Sequence, residues 1–169
     1  MKIGILSDTH NYKENTRTAL STFRERGITR LIHCGDITTP EMIALFSGWQ
    51  VTFVLGNMDT MWSTDLRQAA LMTGVQPPRL SAEVEIDGKQ IGVTHGADGG
   101  LLLRMTMSGK YDYLCRGHTH RRLNEYQTAY GVRLINPGAL GGNRPEARSI
   151  CILDVETGEV EFILFGEMA

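Results

Sequence analysis

The sequence predicts an α/β fold in which two β-sheets pack face to face and helices cover the outside. In the first third of the chain, short apolar segments alternate with amphipathic ones in the order β-α-β-α-β, which is typical of parallel strands joined by crossover helices. Further along, three pairs of apolar segments are joined by tight turns, which indicates antiparallel hairpins. The chain has 169 residues, enough to bury a core, and we expect one domain over residues 1–169.

The first half is predicted to form a parallel sheet with two crossover helices. Asn11 and Thr39 are suited to cap the helices, and Gly27 and Gly48 are suited to end them. Pro40 fits the first helical position, where its missing N–H costs nothing. The predicted elements are strands over Lys2–Ser7, Arg30–Cys34 and Val51–Leu55, and helices over Lys13–Arg26 and Pro40–Ser47.

The second half is richer in hairpins. Asp87 and Gly88 form a dipeptide that is typical of a two-residue hairpin turn. The predicted elements are helices over Ser63–Thr73 and Leu101–Met107, a strand over Tyr111–Arg116, and hairpins over Ala82–Thr94, Asn124–Asn136 and Arg148–Phe165. A Gly-rich loop over Pro137–Glu146 precedes the last hairpin.

The composition and the sequence patterns argue against a nucleic-acid or membrane partner. A net charge of -2 gives no general attraction for nucleic acid, although a local basic patch leaves that partner open. The chain has no apolar run of membrane-spanning length, no signal-peptide pattern and no lipidation motif, so no membrane partner is expected. Its three cysteines form no C-x-x-C motif, which predicts reduced thiols and a cytoplasmic protein.

At five places an apolar strand stops and a cluster of metal-binding residue types begins. All five histidines of the chain fall within these clusters. Asp8 and His10 are two residues apart, so their side chains can point to the same side at the carboxyl end of a strand, where open α/β sheets place their sites. The clusters are Asp8-Thr9-His10, His33-Cys34-Gly35-Asp36, Gly56-Asn57-Met58-Asp59, Thr94-His95-Gly96 and Gly117-His118-Thr119-His120.

The clusters predict a centre for two divalent ions. Carboxylate, imidazole and amide oxygen suit Mn²⁺, Fe²⁺, Co²⁺, Ni²⁺ or Zn²⁺, and the chain offers no thiolate set for structural zinc. More candidate ligands are present than one ion needs, whereas two ions sharing a bridging carboxylate would use them all. Such a centre stays cationic with a bridging hydroxide, which favours an anionic phosphate ester. The candidate ligands are Asp8, His10, Asp36, Asn57, His95, His118 and His120.

The ordered motifs D-x-H, G-D, G-N, H-G and G-H-T-H resemble those of the calcineurin-like metallophosphoesterase family. The chain length and Asn136-Pro137-Gly138 are similar to its small YfcE-type phosphodiesterase branch. The resemblance implies a four-layer α/β/β/α sandwich of two mixed sheets, a dinuclear metal centre with Mn²⁺ as the first choice, and a homodimer or homotetramer. It also implies that Asp8, His10 and His120 hold one ion, that Asn57, His95 and His118 hold the other, and that Asp36 bridges them.

We therefore expect a metal-dependent phosphodiesterase in which a bridging hydroxide attacks phosphorus, with Asp36, Asn57 and His95 as catalytic residues. Asn57, Asn11 and Arg122 are the candidate substrate contacts, although Asn11 can equally be a helix cap and Arg122 an ordinary exposed arginine. The alternatives are a phosphomonoesterase or nucleotide hydrolase, and a non-catalytic scaffold like the retromer subunit of this fold. The scaffold interpretation requires missing ligands, and none is missing here.

One position departs from the family pattern. Many members have His after the G-N motif, where it is taken to protonate the leaving group or to hold the phosphate, but this chain has Met58, which can do neither. Esters with poor leaving groups are therefore expected to react slowly. Asp59 can be interpreted as a replacement acid or as a loop cap, and His33 as a packing residue or a ligand. We interpret Cys34 as a buried thiol.

Overall fold

Two five-stranded sheets form the centre of the computed structural model, which describes residues 1–166. The strands are β1 (Lys2–Leu6), β2 (Arg30–His33), β3 (Gln50–Phe53), β4 (Ser81–Ile86), β5 (Lys89–Thr94), β6 (Tyr113–Cys115), β7 (Arg122–Gln127), β8 (Val132–Pro137), β9 (Arg148–Asp154) and β10 (Val160–Phe165). The helices are α1 (Lys13–Glu25), α2 (Pro40–Ala44), α3 (Ser63–Thr73) and α4 (Gly99–Met107), and a 3-10 helix covers Asn57–Trp62.

Both sheets are mixed. The first has the order β10-β9-β1-β2-β3, with β1, β2 and β3 parallel and β9 antiparallel to β1. The second has the order β4-β5-β6-β8-β7, with β5, β6 and β8 parallel and the two edge strands antiparallel to their neighbours. The parallel strands β1, β2 and β3 therefore end at one edge of the first sheet, and β5 and β6 end at one edge of the second.

Three apolar cores define four layers, α/β/β/α. Alternation along β1 directs Ile3 and Ile5 into the core between the two sheets, whereas Leu6 lies in the core beneath the first three helices. A third, smaller core joins α4 to the outer face of the second sheet through Met105 and Leu114. The two-sheet sandwich with outer helices is confirmed.

Several predicted boundaries move. Helix α2 ends at Ala44 rather than near Ser47. The amides of Phe46 and Ser47 donate to carbonyls three residues back, which is the hydrogen-bond pattern of a 3-10 turn and not of an α-helix. The strand expected over 111–116 is reduced to β6. The prediction that Asn11 caps α1 was wrong: Tyr12 occupies the cap position of α1 without a side-chain hydrogen bond.

No helix within residues 1–166 is both long and apolar enough to cross a membrane.

Candidate metal centre

The seven predicted ligands converge at one edge of the sandwich. Each follows the carboxyl end of a parallel strand, so the chain topology alone places them along a shared edge. Strands β1, β2 and β3 supply the residues from the first sheet, and β5 and β6 supply those from the second. The residues brought together are Asp8, His10, Asp36, Asn57, His95, His118 and His120.

One group of donor atoms forms around Asp8, His10 and His120. Nε2 of His120 lies 3.2 Å from Oδ1 of Asp8 and 3.2 Å from Nε2 of His10. Nε2 of His10 lies 3.8 Å from the same Asp8 oxygen. One carboxylate oxygen and two ring nitrogens can therefore face a single ion at this point.

A second group forms around the Asn57 side chain. Its Oδ1 lies 3.1 Å from Nε2 of His95 and 3.1 Å from Nδ1 of His118. Oδ2 of Asp36 lies between the two groups, 3.5 Å from Nε2 of His95 and 3.7 Å from Nε2 of His10. Asp36 is therefore the carboxylate with an oxygen within reach of both groups.

Two observations test whether these residues suit metal ions. Among residues 1–166, Oδ1 of Asp8 is buried without a well-aligned hydrogen-bond donor, although Nε2 of His120 lies 3.2 Å away; this is costly for a carboxylate oxygen unless a cation lies beside it. His95 and His120 use Nδ1 to bond the backbone carbonyls of Cys34 and Asn143, and turn Nε2 toward a carboxylate. This arrangement fixes the ring and leaves Nε2 free to bind an ion, as is usual for metal-ligating histidines. The donor set fits.

The backbone at this edge is unusually strained. Within residues 1–166, eight residues other than glycine have positive φ, and five of them are candidate ligands. Backbone hydrogen bonds hold the conformation: the Asp8 amide donates to the Gly35 carbonyl at 3.0 Å, and the His10 amide donates to the Asp36 carbonyl at 3.1 Å. Such strain persists only where the surrounding structure over-determines it, and it concentrates at functional sites. The five are Asp8, His10, Asp36, His118 and His120.

Three glycines allow the backbone to approach the candidate ligands closely. A Cβ at Gly56 would overlap Oδ1 of Asp36, and one at Gly117 would lie 2.6 Å from Oδ2 of Asp8. A Cβ at Gly142 would lie 2.8 Å from the His10 ring. A larger residue at any of these positions would push a donor atom away from its place.

Opposite charges shift the protonation of the ion-free site. Burial alone would lower the pKa of His95, but the carboxylates of Asp36 and Asp8 outweigh it and raise that pKa. The Asp8 carboxylate likewise raises the pKa of His120. Burial favours the neutral form of Asp36, yet its contacts with His95 and the Met58 amide lower its pKa below the usual value. Protons and metal ions therefore compete for the same nitrogen atoms, and ion binding should release protons.

Asn11 and Arg122, the two other predicted substrate contacts, have different surroundings in the structure. Asn11 directly follows His10, is exposed, and accepts a hydrogen bond from the Thr39 hydroxyl at 3.0 Å. Arg122 follows His120 by two residues, and its side-chain polar partners within residues 1–166 are Glu146, at 3.4 Å from the guanidinium, and the Ala147 carbonyl. Arg122 thus supports the loop before β9.

Met58 and Asp59, the two residues after the G-N motif, make different contacts. The Met58 amide donates to Oδ1 of Asp36 at 2.9 Å, while its side chain is 53% exposed and carries no proton to give. Asp59 is fully buried and accepts from the amides of Thr38 at 2.7 Å and Gly56 at 2.8 Å. Burial raises the pKa of Asp59, but both of its oxygens are used to tie two loops together. The structure thus gives Asp59 the contacts of a loop cap.

His33 and Cys34 are both fully buried beneath the site. The His33 ring packs against Phe46 and Phe53, with ring centroids 5.7 and 5.6 Å apart. Its Nδ1 accepts from the Gly35 amide at 3.2 Å. Burial lowers the pKa of His33 to about 3 and raises that of the Cys34 thiol, so both side chains remain neutral. The structure therefore gives them the contacts of packing residues.

We expect His33 to make the ion-free protein sensitive to mild acid. Because its pKa is 6.5 when unfolded and about 3 when folded, the unfolded state takes up the proton first as the pH falls. Stability is therefore lost from pH 6.5 downward, by about 2 kcal/mol at pH 5. Urea unfolding in chelator at pH 7.5 and pH 5 should show a smaller loss in His33→Gln than in the unmodified chain. An identical loss in both proteins would contradict this assignment.

Sequence reasoning missed the contribution of the Gly-rich loop between β8 and β9. The amide of Gly141 donates to the Asp8 carbonyl at 2.8 Å, and Asn143 supplies the carbonyl that orients His120. Asn15 of α1 anchors this loop by donating to the Leu140 carbonyl at 2.8 Å. The adjacent Gly141 and Gly142 were the available signal, since paired glycines permit close backbone approach.

A two-sheet sandwich that gathers carboxylates, imidazoles and an amide oxygen at one edge offers the donor atoms that suit divalent metal ions. The chain belongs to the calcineurin-like phosphoesterase superfamily, because the sequence profile of that domain matches residues 1–158. It is therefore an enzyme of the metallophosphoesterase class, and the family resemblance found in the motifs is confirmed.

Relatives of known activity or structure agree with this membership. The chain is 32% identical to a phosphodiesterase of Methanocaldococcus jannaschii, over 97% of this chain and 99% of the relative. It is similar to the solved structure of an archaeal phosphodiesterase, with a TM-score of 0.85, 32% identity, and coverage of 98% and 100% of the two chains. A phosphoesterase from E. coli shares the fold at a TM-score of 0.70 and 17% identity, covering 98% of this chain and 100% of that one.

Proposed function

We propose that the chain is a phosphodiesterase whose candidate site holds two divalent ions. The observation that carries this proposal is the position of Asp36, whose Oδ2 lies 3.7 Å from Nε2 of His10 and 3.5 Å from Nε2 of His95. A carboxylate oxygen between two groups of donors suits a ligand shared by two ions. Asp8, His10 and His120 would hold one ion, and Asn57, His95 and His118 the other.

When bound, two such ions would supply an activated water and would neutralise charge that develops on a phosphoryl group. The net reaction adds the oxygen of water to phosphorus and breaks one P–O ester bond, and the alcohol leaves with a proton. The protein holds its donors rigidly, through Nδ1 of His95 and His120 and the Met58 amide on Asp36, so little reorganisation is needed during the reaction. We propose that Asn57 and Asn11 also contact the phosphate.

The test compares hydrolysis of bis(4-nitrophenyl) phosphate and 4-nitrophenyl phosphate by protein stripped of metal and then given Mn²⁺, Ni²⁺, Co²⁺, Zn²⁺ or Mg²⁺. We expect activity to require an added ion, to favour the diester, and to fall at least about 100-fold in Asn57→Ala. Met61→Ala, a change at a 91% exposed position of the same 3-10 helix, is the matched control. A folded protein that hydrolyses neither ester with any ion would contradict the proposal and favour a scaffold.

The exposed Met58 side chain leads to a gain-of-function prediction. We expect Met58→His to raise the rate for a diester with an alkyl leaving group at least about tenfold more than for one with an aryl leaving group, because only the alkoxide needs a proton to leave. The rates are compared with those of Met61→His, which places the same side chain at an exposed position of the same 3-10 helix. Equal effects on both leaving groups would contradict the idea that a general acid is lacking.

We further propose Mn²⁺ as the working ion, a homodimer or homotetramer as the assembly, one domain, and a cytoplasmic location. Mn²⁺ suits the mixture of oxygen and imidazole donors. The location is supported by the three cysteines Cys34, Cys115 and Cys151, all of which are buried and free.

A further inference from the structure

An apolar cavity of about 180 Å³ opens directly beside the candidate metal centre. Asn57 and His95 line one end of it, so any group in the cavity is next to the proposed phosphate position. The rest of the lining comes from the loop after β3, the 3-10 helix, the loop before β4, and the segment from the end of β5 to the start of α4. Its apolar residues are Leu55, Leu80, Ala97 and Leu101.

The size of the cavity suits one ring rather than a whole ligand. Pockets for complete small molecules measure about 300–1,000 Å³. An apolar cavity of about 150 Å³ is known to hold benzene. The cavity beside Asn57 lies close to the second figure, so it can take a single ring-sized group of a substrate whose phosphate lies at the metal ligands.

The chemistry of the lining disfavours a charged group. None of its lining residues within the described chain is Lys or Arg. Its only carboxylate, Asp98, accepts the amide of Leu101 at 2.9 Å and so caps α4. The Thr60 hydroxyl donates to the Asn57 carbonyl at 3.2 Å. The Asp98 and Thr60 side chains are thus engaged, and no lining side chain among residues 1–166 is a permanent cation that would pair with a second phosphate.

We propose that this cavity binds one uncharged aromatic or apolar ester group of the phosphodiester, and so determines substrate preference. The inference rests on the proposed function, since the phosphate must occupy the metal centre. Leu80 and Ala97 are exposed loop residues, so substitutions there change the cavity without disturbing a core.

The test measures calorimetric binding of phenylphosphonate and methylphosphonate to the Mn²⁺-loaded protein, since the two differ only in the group offered to the cavity. We expect phenylphosphonate to bind about tenfold or more tightly. Ala97→Phe, which fills the cavity, and Leu80→Ser, which removes part of its apolar wall, should each cancel most of that advantage. Ala129→Phe, the same change in the exposed turn between β7 and β8, should preserve it.

The outcomes separate this inference from the proposed function. Equal affinity for the two phosphonates, or an advantage that survives in both cavity variants, would overturn the inference. The same holds if the loaded protein binds neither phosphonate but still hydrolyses diesters. A protein that binds neither phosphonate and hydrolyses no ester would overturn the proposed function and the inference with it.

Discussion

Asp36→Asn is expected to weaken the binding of both metal ions and to lower diester hydrolysis at least about 100-fold. The amide keeps the shape of the side chain and can still accept the Met58 amide through Oδ1. It loses the negative charge that lies within 3.7 Å of Nε2 of His10 and 3.5 Å of Nε2 of His95. Bound metal per chain, measured by elemental analysis after gel filtration, should fall toward zero rather than by half.

The metal content of Asp36→Asn is compared with that of Asn57→Ala. Among the candidate ligands within residues 1–166, the Asn57 side chain contacts His95 and His118, so its loss should weaken one ion and leave the group around Asp8 able to bind the other. Both variants are checked for folding by circular dichroism. If Asp36→Asn retains two tightly bound ions per chain, Asp36 does not serve as a shared ligand.

Gly56→Ala should lower activity about 100-fold through a single added methyl group. Gly56 has φ of −96°, which alanine can adopt, but the added Cβ would overlap both Oδ1 and the backbone nitrogen of Asp36, so the side chain and the backbone of Asp36 would both have to shift. The carboxylate must move, and a displacement of about 1 Å at a reacting centre can cost about 100-fold in rate. Steady-state kinetics with saturating Mn²⁺ and the nitrophenyl diester measures the effect.

The matched control is Gly99→Ala at the start of α4, where the added Cβ meets nothing within 4 Å. We expect its activity and thermal stability to match those of the unmodified chain. Unimpaired hydrolysis by Gly56→Ala would mean that the Asp36 carboxylate can move without loss of activity, which contradicts a role for the close approach of Gly56 to Asp36.

Much of this architecture could be predicted because its signals are local. The run Ile3-Gly4-Ile5-Leu6 specifies a buried strand by itself, and Asp8 follows it directly. Parallel strands then require that their carboxyl ends share an edge, so the convergence of Asp36 and Asn57 with Asp8 follows from topology.

The features that escaped prediction depend on contacts between distant parts of the chain. Asn143 lies 23 residues beyond His120, and no local pattern says that its carbonyl orients that ring. Asn11 has the residue type of a helix cap, but the Thr39 hydroxyl engages its side chain from another loop. The sequence of the Gly-rich loop predicts a simple connection, whereas in the structure the Gly141 amide donates a hydrogen bond to the Asp8 carbonyl.

The division of the candidate ligands between two sheets also bears on how the protein is made. A growing chain on the ribosome that stops short of His118 carries five of the seven candidate ligands and lacks His118 and His120, one from each group of donor atoms. β1 also needs β9, which begins only at Arg148, as its neighbour. The complete set of candidate ligands is therefore assembled only after the two sheets have docked, and an ion bound by the whole set would add its binding free energy to the stability of the finished protein alone.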